Sequence, residues 1–206
     1  MSVCFYTDLV TGEKMRQFTV WFRRQWMERA FRIWIAFFLI LTFVMMVEFH
    51  LFQYGHLKRI RYLVLFWSLG LIAWDDRKSR RISNRILLFL LAVRTVLLAL
   101  ECLVWQEYWM SLVISAAAGL ILSGGMFLIC YVIAKGGIGA GDVKLLAVLG
   151  YWMGGGAVFT AIFLTVLSAA VYSGIGLFLR KVSLKQEMPF APFVLAGTIL
   201  TIMLGV

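Results

Sequence analysis

KGGIGAGDVK, residues 135–144, interrupts a chain that runs apolar for long distances on both sides. Four glycines surround a single carboxylate, Asp142. Glycine tolerates positive φ and lets a second backbone approach, so such a run between apolar stretches marks a loop and not a frayed helix. Non-helical backbone at the edge of a bilayer persists only where protein or a wet cavity satisfies its polar groups. An ionisable residue at that depth is by default a candidate functional site. A plainer reading keeps Asp142 as the cap of a helix starting at Val143. The loop alone does not choose between the two.

The composition around the loop sets the class. The 206 residues are 63% hydrophobic and carry a formal net charge of +10. No soluble domain has that balance, so the expected fold is all-α, a polytopic helical membrane protein in a lipid bilayer. The basic residues flank apolar runs, which is a topology signal. A nucleic-acid protein would spread them over a solvated face with interleaved aromatics, so no nucleic-acid partner is expected. The first apolar run begins only near Ile33, behind a mixed, charged segment, and no A-x-A-type site follows it, so no secretory signal peptide is expected. Cys4, Cys102 and Cys130 form no C-x-x-C, which argues against a zinc site or disulfide framework. Cys102 and Cys130 sit in apolar runs as packing residues. His50 and His56 lack partners at metal-ligand spacing. No metal and no cofactor are expected. Neither G-x-S-x-G nor S-x-x-K occurs, and the glycine run is not a phosphate-binding loop.

Residues 1–32 form a basic amino-terminal segment, in which Phe18, Trp21, Phe22 and Trp26 fall at helical spacing suited to a membrane surface. A solvated basic extension fits them nearly as well. Residues 33–206 form the membrane-embedded domain. Its apolar stretches are 33–47, 60–74, 86–104, 110–134, 143–153, 157–179 and 190–206. With about 20 residues needed per crossing, they predict six to seven transmembrane helices. The stretch 143–153 is a short helix after the glycine loop, closed by Gly154–Gly155–Gly156. Gly150 and Gly154, four apart, suit close helix packing. The basic segments 1–32, 77–85, 135–144 and 180–185 all fall on one side if every span between them crosses, which makes the amino terminus cytoplasmic. Glu101 and Glu107 flank a short outer loop with Trp105, Tyr108 and Trp109. Lys58, Arg59 and Arg61 conflict with this topology, because they land outside; a re-entrant first segment would remove the conflict.

The same topology brings a second acid to the edge that holds Asp142. Residues 73–86 read AWDDRKSRRISNRI, and the chain has only four aspartates, one of them Asp8 in the polar amino-terminal segment. Asp75 and Asp76 follow the second apolar stretch directly. Two carboxylates brought close in a low-dielectric site do not both stay ionised cheaply. One then activates a water while the other protonates a leaving group, which suffices to hydrolyse a peptide bond. Alone, DDRKSRR reads as an ordinary topogenic loop; paired with G-x-G-D, it turns toward catalysis.

These residues resemble the type IV prepilin peptidases and the related preflagellin peptidases, intramembrane aspartyl proteases of the GxGD type. The resemblance rests on GGIGAGDVKLLAVLGYWMG, residues 136–154, which holds Gly139, Gly141, Asp142 and Lys144. It rests also on ISN at 82–84, in the place of the family's I-P-N, with Asp76 eight residues before Asn84. The third landmark is PFAPF at 189–193, with Pro189, Phe190 and Pro192 matching the P-F-G-P-F that opens the last helix. Ser83 stands for proline and Ala191 for glycine, and Asp75 duplicates the acid, so Asp75 remains the alternative to Asp76. The resemblance covers roughly 62–206. It implies a catalytic pair Asp76 and Asp142, with Gly139, Gly141 and Lys144 in the active-site loop. It implies an endopeptidase of a prokaryotic cytoplasmic membrane, serving a type IV pilus or secretion system. Its substrates would be type IV pilin-like precursors losing a short basic leader. The paired C-x-x-C insert of the methylating long form is missing, so the expectation is the peptidase-only form. The alternative is a small transporter, or a pilus-assembly component, whose buried carboxylates bind an ion or proton; the oligomeric state is open.

Overall fold

A computed structural model describes residues 29–80, 82–133, 139–179 and 188–205. The aromatic pattern at 18–26 and most of the glycine loop lie outside the described residues. Among the described residues every regular element is an α-helix: α1 Arg29–Leu51, α2 His56–Ser79, α3 Asn84–Val104, α4 Trp109–Ile133, α5 Ala140–Phe178 and α6 Ala191–Met203. The chain divides into two compact units, 1–47 and 48–206. In the first, the described part is the apolar body of α1. The second holds its last residues and α2 to α6.

Four of these helices, α1, α3, α4 and α5, are long and apolar enough to cross a membrane. α1 has 23 residues, enough for a full crossing. The last apolar stretch forms a shorter helix. α6 has only 13 residues, a rise of about 20 Å against a hydrocarbon core of about 30 Å. Gly205 stops it, at φ 74, with its N–H returning to the Ile202 carbonyl at 3.0 Å.

Within the second unit the helices run back and forth between two ends. One end gathers the 52–55 loop, Trp105 and Gly205, since added methyls on Gly55 and Gly205 would meet Trp105 and Phe52 respectively. The opposite end gathers the close of α2 and the starts of α3, α5 and α6. α4 on α5 is the most extensive contact, followed by α5 on α6 and α2 on α6. Lipid tails are as apolar as leucine, so packing and not water exclusion must hold such helices together. Gly119 of α4 and Gly150 of α5 supply that packing, since a Cβ on either would collide with the other's carbonyl oxygen. Ser123 adds bonds to the Gly119 and Leu146 carbonyls at 2.7 and 2.9 Å.

The break expected at 154–156 narrows to one residue. α5 is continuous for 39 residues except at Gly154, whose φ of 81 and ψ of 170 divide it into a half-helix 140–153 and a longer arm. A side chain would be strained in that backbone, and its Cβ would stand 2.6 Å from Ser115 Oγ.

Candidate active site

α2 is buried along Tyr62, Leu65, Phe66, Leu69, Ile72, Ala73 and Asp76. Steps of three and four residues place these on one stripe of the helix. Asp76 therefore ends an apolar face, and it is 4% exposed. Its Oδ2 accepts the Ala191 backbone N–H at 3.1 Å. Ala191 is the first residue of α6, whose cap residue Phe190 makes no side-chain cap bond. Asp76 thus satisfies from another helix one of the N–H groups that a helix start leaves unpaired. The PFAPF motif is in this way tied to the first acid.

Asp75 points elsewhere, because adjacent helical residues differ by about 100°. α2 stays helical through both acids and ends at Ser79; Arg80 turns the chain at φ 52, its N–H bonded to the Asp76 carbonyl. Asp75 lies beyond the apolar part of α2, half-buried. Burial, then the Asp76 charge, push its carboxyl above the usual range, and Lys78 opposes them.

The second acid arrives from the other side of the chain. Gly139 occupies the cap position of α5 in ordinary extended backbone, φ −72 and ψ 137. It needs no left-handed conformation; the requirement is space, since a Cβ there would stand 2.9 Å from Asp142 Oδ2. The plainer reading, in which Asp142 caps a helix starting at Val143, does not match the structure. The helix starts at Ala140, and Asp142 is its third residue, with its N–H on the Gly139 carbonyl at 3.0 Å. Its carboxylate folds back over Gly139, from the position that the acidic member of a capping box occupies.

Two contacts join the turn carrying Asp142 to the segment that follows Asp76. A Cβ on Gly141 would stand 3.3 Å from Ile82 Cβ, so glycine allows these backbones to meet. Lys144 Nζ donates to Asn84 Oδ1 at 3.2 Å. Asp142 lies within the electrostatic field of Asp76. Asp76, Asp142, Gly139, Gly141, Asn84, Lys144 and the start of α6 after Pro189 are thus brought to one end of the bundle. Pro192 is the second residue of α6, where a missing N–H leaves no hydrogen bond unmade. Beside them, a pocket of about 390 Å³ is lined by leucines 87, 88, 91 and 120, by Ala147 and Val148, and by Asn84 and Lys144 at its polar side. Among the described residues no three His, Cys, Asp or Glu side chains cluster in a way suited to a metal.

Sequence reading passed over Arg94 and set Glu101 beside the outer loop. The structure buries both: Arg94 Nη1 holds Glu101 Oε2 at 2.9 Å, and Arg61 Nη1 holds Oε1 at 3.0 Å. The signal was available, because Leu87, Leu90, Arg94, Leu98 and Glu101 share one face of α3, and a charge inside an apolar span is rarely idle. The basic residues that conflicted with the topology all have partners. Arg61 meets Glu101, Arg59 Nε donates to the Tyr54 carbonyl at 2.6 Å, and Lys58 Nζ lies 4.2 Å from the Tyr54 ring centroid.

Fold and site together define a polytopic helical membrane protein with a carboxylate pair at one end of its bundle. The model of the type IV leader peptidase family matches residues 63–174, more than half of the 206-residue chain. The chain belongs to that family. It is 34% identical over 143 residues to the prepilin leader peptidase/N-methyltransferase of Bacillus subtilis, an alignment that takes in 69% of this chain and 55% of that protein. The protein of the same name from Burkholderia pseudomallei is 31% identical over 90 residues, 41% of this chain and 29% of that one. The chain therefore spans about half the length of the first relative and less of the second. No solved structure matches it. The family match contains Asp75, Asp76, Asn84, Asp142 and Lys144 but stops short of PFAPF, which the Asp76–Ala191 bond connects to the rest.

Proposed function

We propose that residues 33–206 form a membrane-embedded aspartic endopeptidase that removes the short basic leader from type IV pilin-like precursors at the cytoplasmic face of a prokaryotic inner membrane. One observation carries the reading: the turn holding Asp142 meets the segment that follows Asp76, through Gly141 against Ile82 and Lys144 on Asn84, so two acids far apart in sequence share one end of the bundle. Family membership supports the same reaction, and the names of the relatives supply the substrate class. The proposal is confined to peptide cleavage, for which these carboxylates have the chemistry.

The two acids differ in surroundings, and this supports a division of labour. Asp76 accepts a backbone N–H at the start of α6, where the helix dipole favours negative charge. It is the better candidate to draw a proton from water as that water attacks the scissile carbonyl. Asp142 then carries the proton that goes to the leaving amine. Apolar residues on the mature side of the cut would seat in the leucine-lined pocket beside Lys144. Arg77, Lys78, Arg80 and Arg81 would act as topogenic charges, since a basic leader is repelled by them.

The test is to incubate the full chain in detergent or nanodiscs with a pilin-like precursor and determine the product masses. A single cut between basic leader and apolar helix is expected, lost in Asp142→Asn and unaffected by a chelator. An intact precursor in the presence of folded protein would overturn the reading.

A further inference from the structure

Arg94, midway along the apolar α3, and Glu101, in its last turn, have side chains only 3% and 2% exposed, and the cleavage chemistry uses neither. With Arg61 they place two cations on one carboxylate inside the bundle. Burial of this kind is a poor source of stability, because well-packed apolar residues often replace a buried ion pair at no loss. The better-attested use of such a group is to fix a register.

The register at issue is that of the half-helix 140–153. Gly154 breaks α5, and a broken helix leaves the carbonyls before the break short of amide partners. One of these, on Tyr151, accepts from Arg94 Nε at 3.2 Å. The guanidinium also lies 5.8 Å from the Tyr151 ring centroid, and the Tyr151 hydroxyl bonds Thr95 Oγ1 at 3.2 Å. A positive charge therefore sits at the carboxyl end of the half-helix, where the dipole favours it. Two adjacent residues of α3 hold one residue of α5 by its backbone, ring and hydroxyl. At its other end the half-helix carries Asp142 and meets α3 again, through Lys144 and Asn84. α3 lies along it as a splint.

We propose that Arg94, held by Glu101 and Arg61, is a positioning residue that sets where the half-helix 140–153 sits, and with it where Asp142 stands against the segment following Asp76. Its effect on catalysis rests on the aspartate-pair reading; its effect on placement does not.

Ile82 and Gly141 give a readout that needs no activity. Their Cβ positions stand 3.3 Å apart, close to the spacing a disulfide spans. In the full chain with Cys4, Cys102 and Cys130 changed to serine, Ile82→Cys with Gly141→Cys should cross-link readily on mild oxidation in membranes. Adding Arg94→Gln or Arg94→Lys should slow the cross-link several-fold. Lysine keeps a charge for Glu101 but lacks the fork that serves Glu101 and the Tyr151 carbonyl together. Without the engineered cysteines, the same variants should lose roughly 10- to 100-fold in kcat on precursor cleavage with KM little changed, as misplacement by about an ångström does. An unchanged cross-link rate in either variant, at parental protein levels, overturns the proposal. So does failure of both variants to accumulate, which would mean Arg94 only holds the fold together. A slowed cross-link in a chain that cleaves no precursor keeps the placement and removes the peptidase reading instead.

Discussion

The half-helix 140–153 is held in opposite ways at its two ends. At Asp142 the contacts are sparse and partly wet: an exposed lysine reaching an asparagine, a glycine meeting Ile82, and a carboxylate bent back onto its own first turn. Around Gly150 and Tyr151 they are dense and dry. There Gly119 and Gly150 touch backbone to backbone, and a buried arginine takes the Tyr151 carbonyl. The difference fits the peptidase proposed above, which would have to admit water and a peptide at one end of an element while the rest stays fixed in lipid. It also predicts where substitutions will injure chemistry and where they will injure the fold.

The largest effect should come at the wet end and leave the fold intact. Asp76→Asn and Asp142→Asn should each reduce precursor cleavage by at least about a thousand-fold, and the double variant should be little worse, because residues acting as one unit fail together. Both variants should accumulate in membranes as the parent does. Additive losses in a gel-based cleavage assay would mean the two acids act separately.

Damage at the dry end should appear first in stability. Gly150→Ala drives a methyl into the Gly119 carbonyl, and overpacking of this type costs about 1–3 kcal/mol. Thermal unfolding in detergent should show the loss. A variant as stable as the parent would mean that α4 and α5 separate easily, and the contrast between the two ends would weaken.

A smaller effect is expected where the wet end is only tethered. Lys144→Ala and Asn84→Ala each break the 3.2 Å bond between α3 and α5. An exposed bond of this type contributes on the order of 1 kcal/mol or less, so each should slow cleavage by no more than about ten-fold. A double-mutant cycle on cleavage rates should show the two losses to be less than additive, since either one removes the bond.

The smallest change should follow Asp75→Asn. Asp75 and Asp76 act on each other through their charges, so removing Asp75 takes away a like charge beside the pair. Most activity should remain, and the pH–activity profile should move toward acid by less than about one unit. A dead Asp75→Asn beside an active Asp76→Asn would exchange their roles.

Much of this was legible in the sequence for local reasons. Apolar runs of bilayer length give helices because lipid leaves the backbone no other way to satisfy its hydrogen bonds. The stripe from Tyr62 to Asp76 follows from helical period, and that period also separates Asp76 from Asp75. The glycines at 139 and 141 announced a close approach, although what they accommodate is space and not a left-handed turn. Gly154 was read as part of a three-residue break, and one residue suffices because positive φ at a single position bends a helix. Tertiary structure alone decided the rest. Asp76 finds its donor on a backbone N–H of α6, and any residue but proline offers that group, so no side chain at 191 advertises it. The Arg61–Glu101–Arg94 group depends on how α2 and α3 are rotated against each other, and the Arg94–Tyr151 bond depends on a carbonyl freed by a kink. Spacing along a chain determines which face of a helix a residue occupies; which faces meet is determined by packing, and here it is packing that brings the ends carrying Asp76 and Asp142 together.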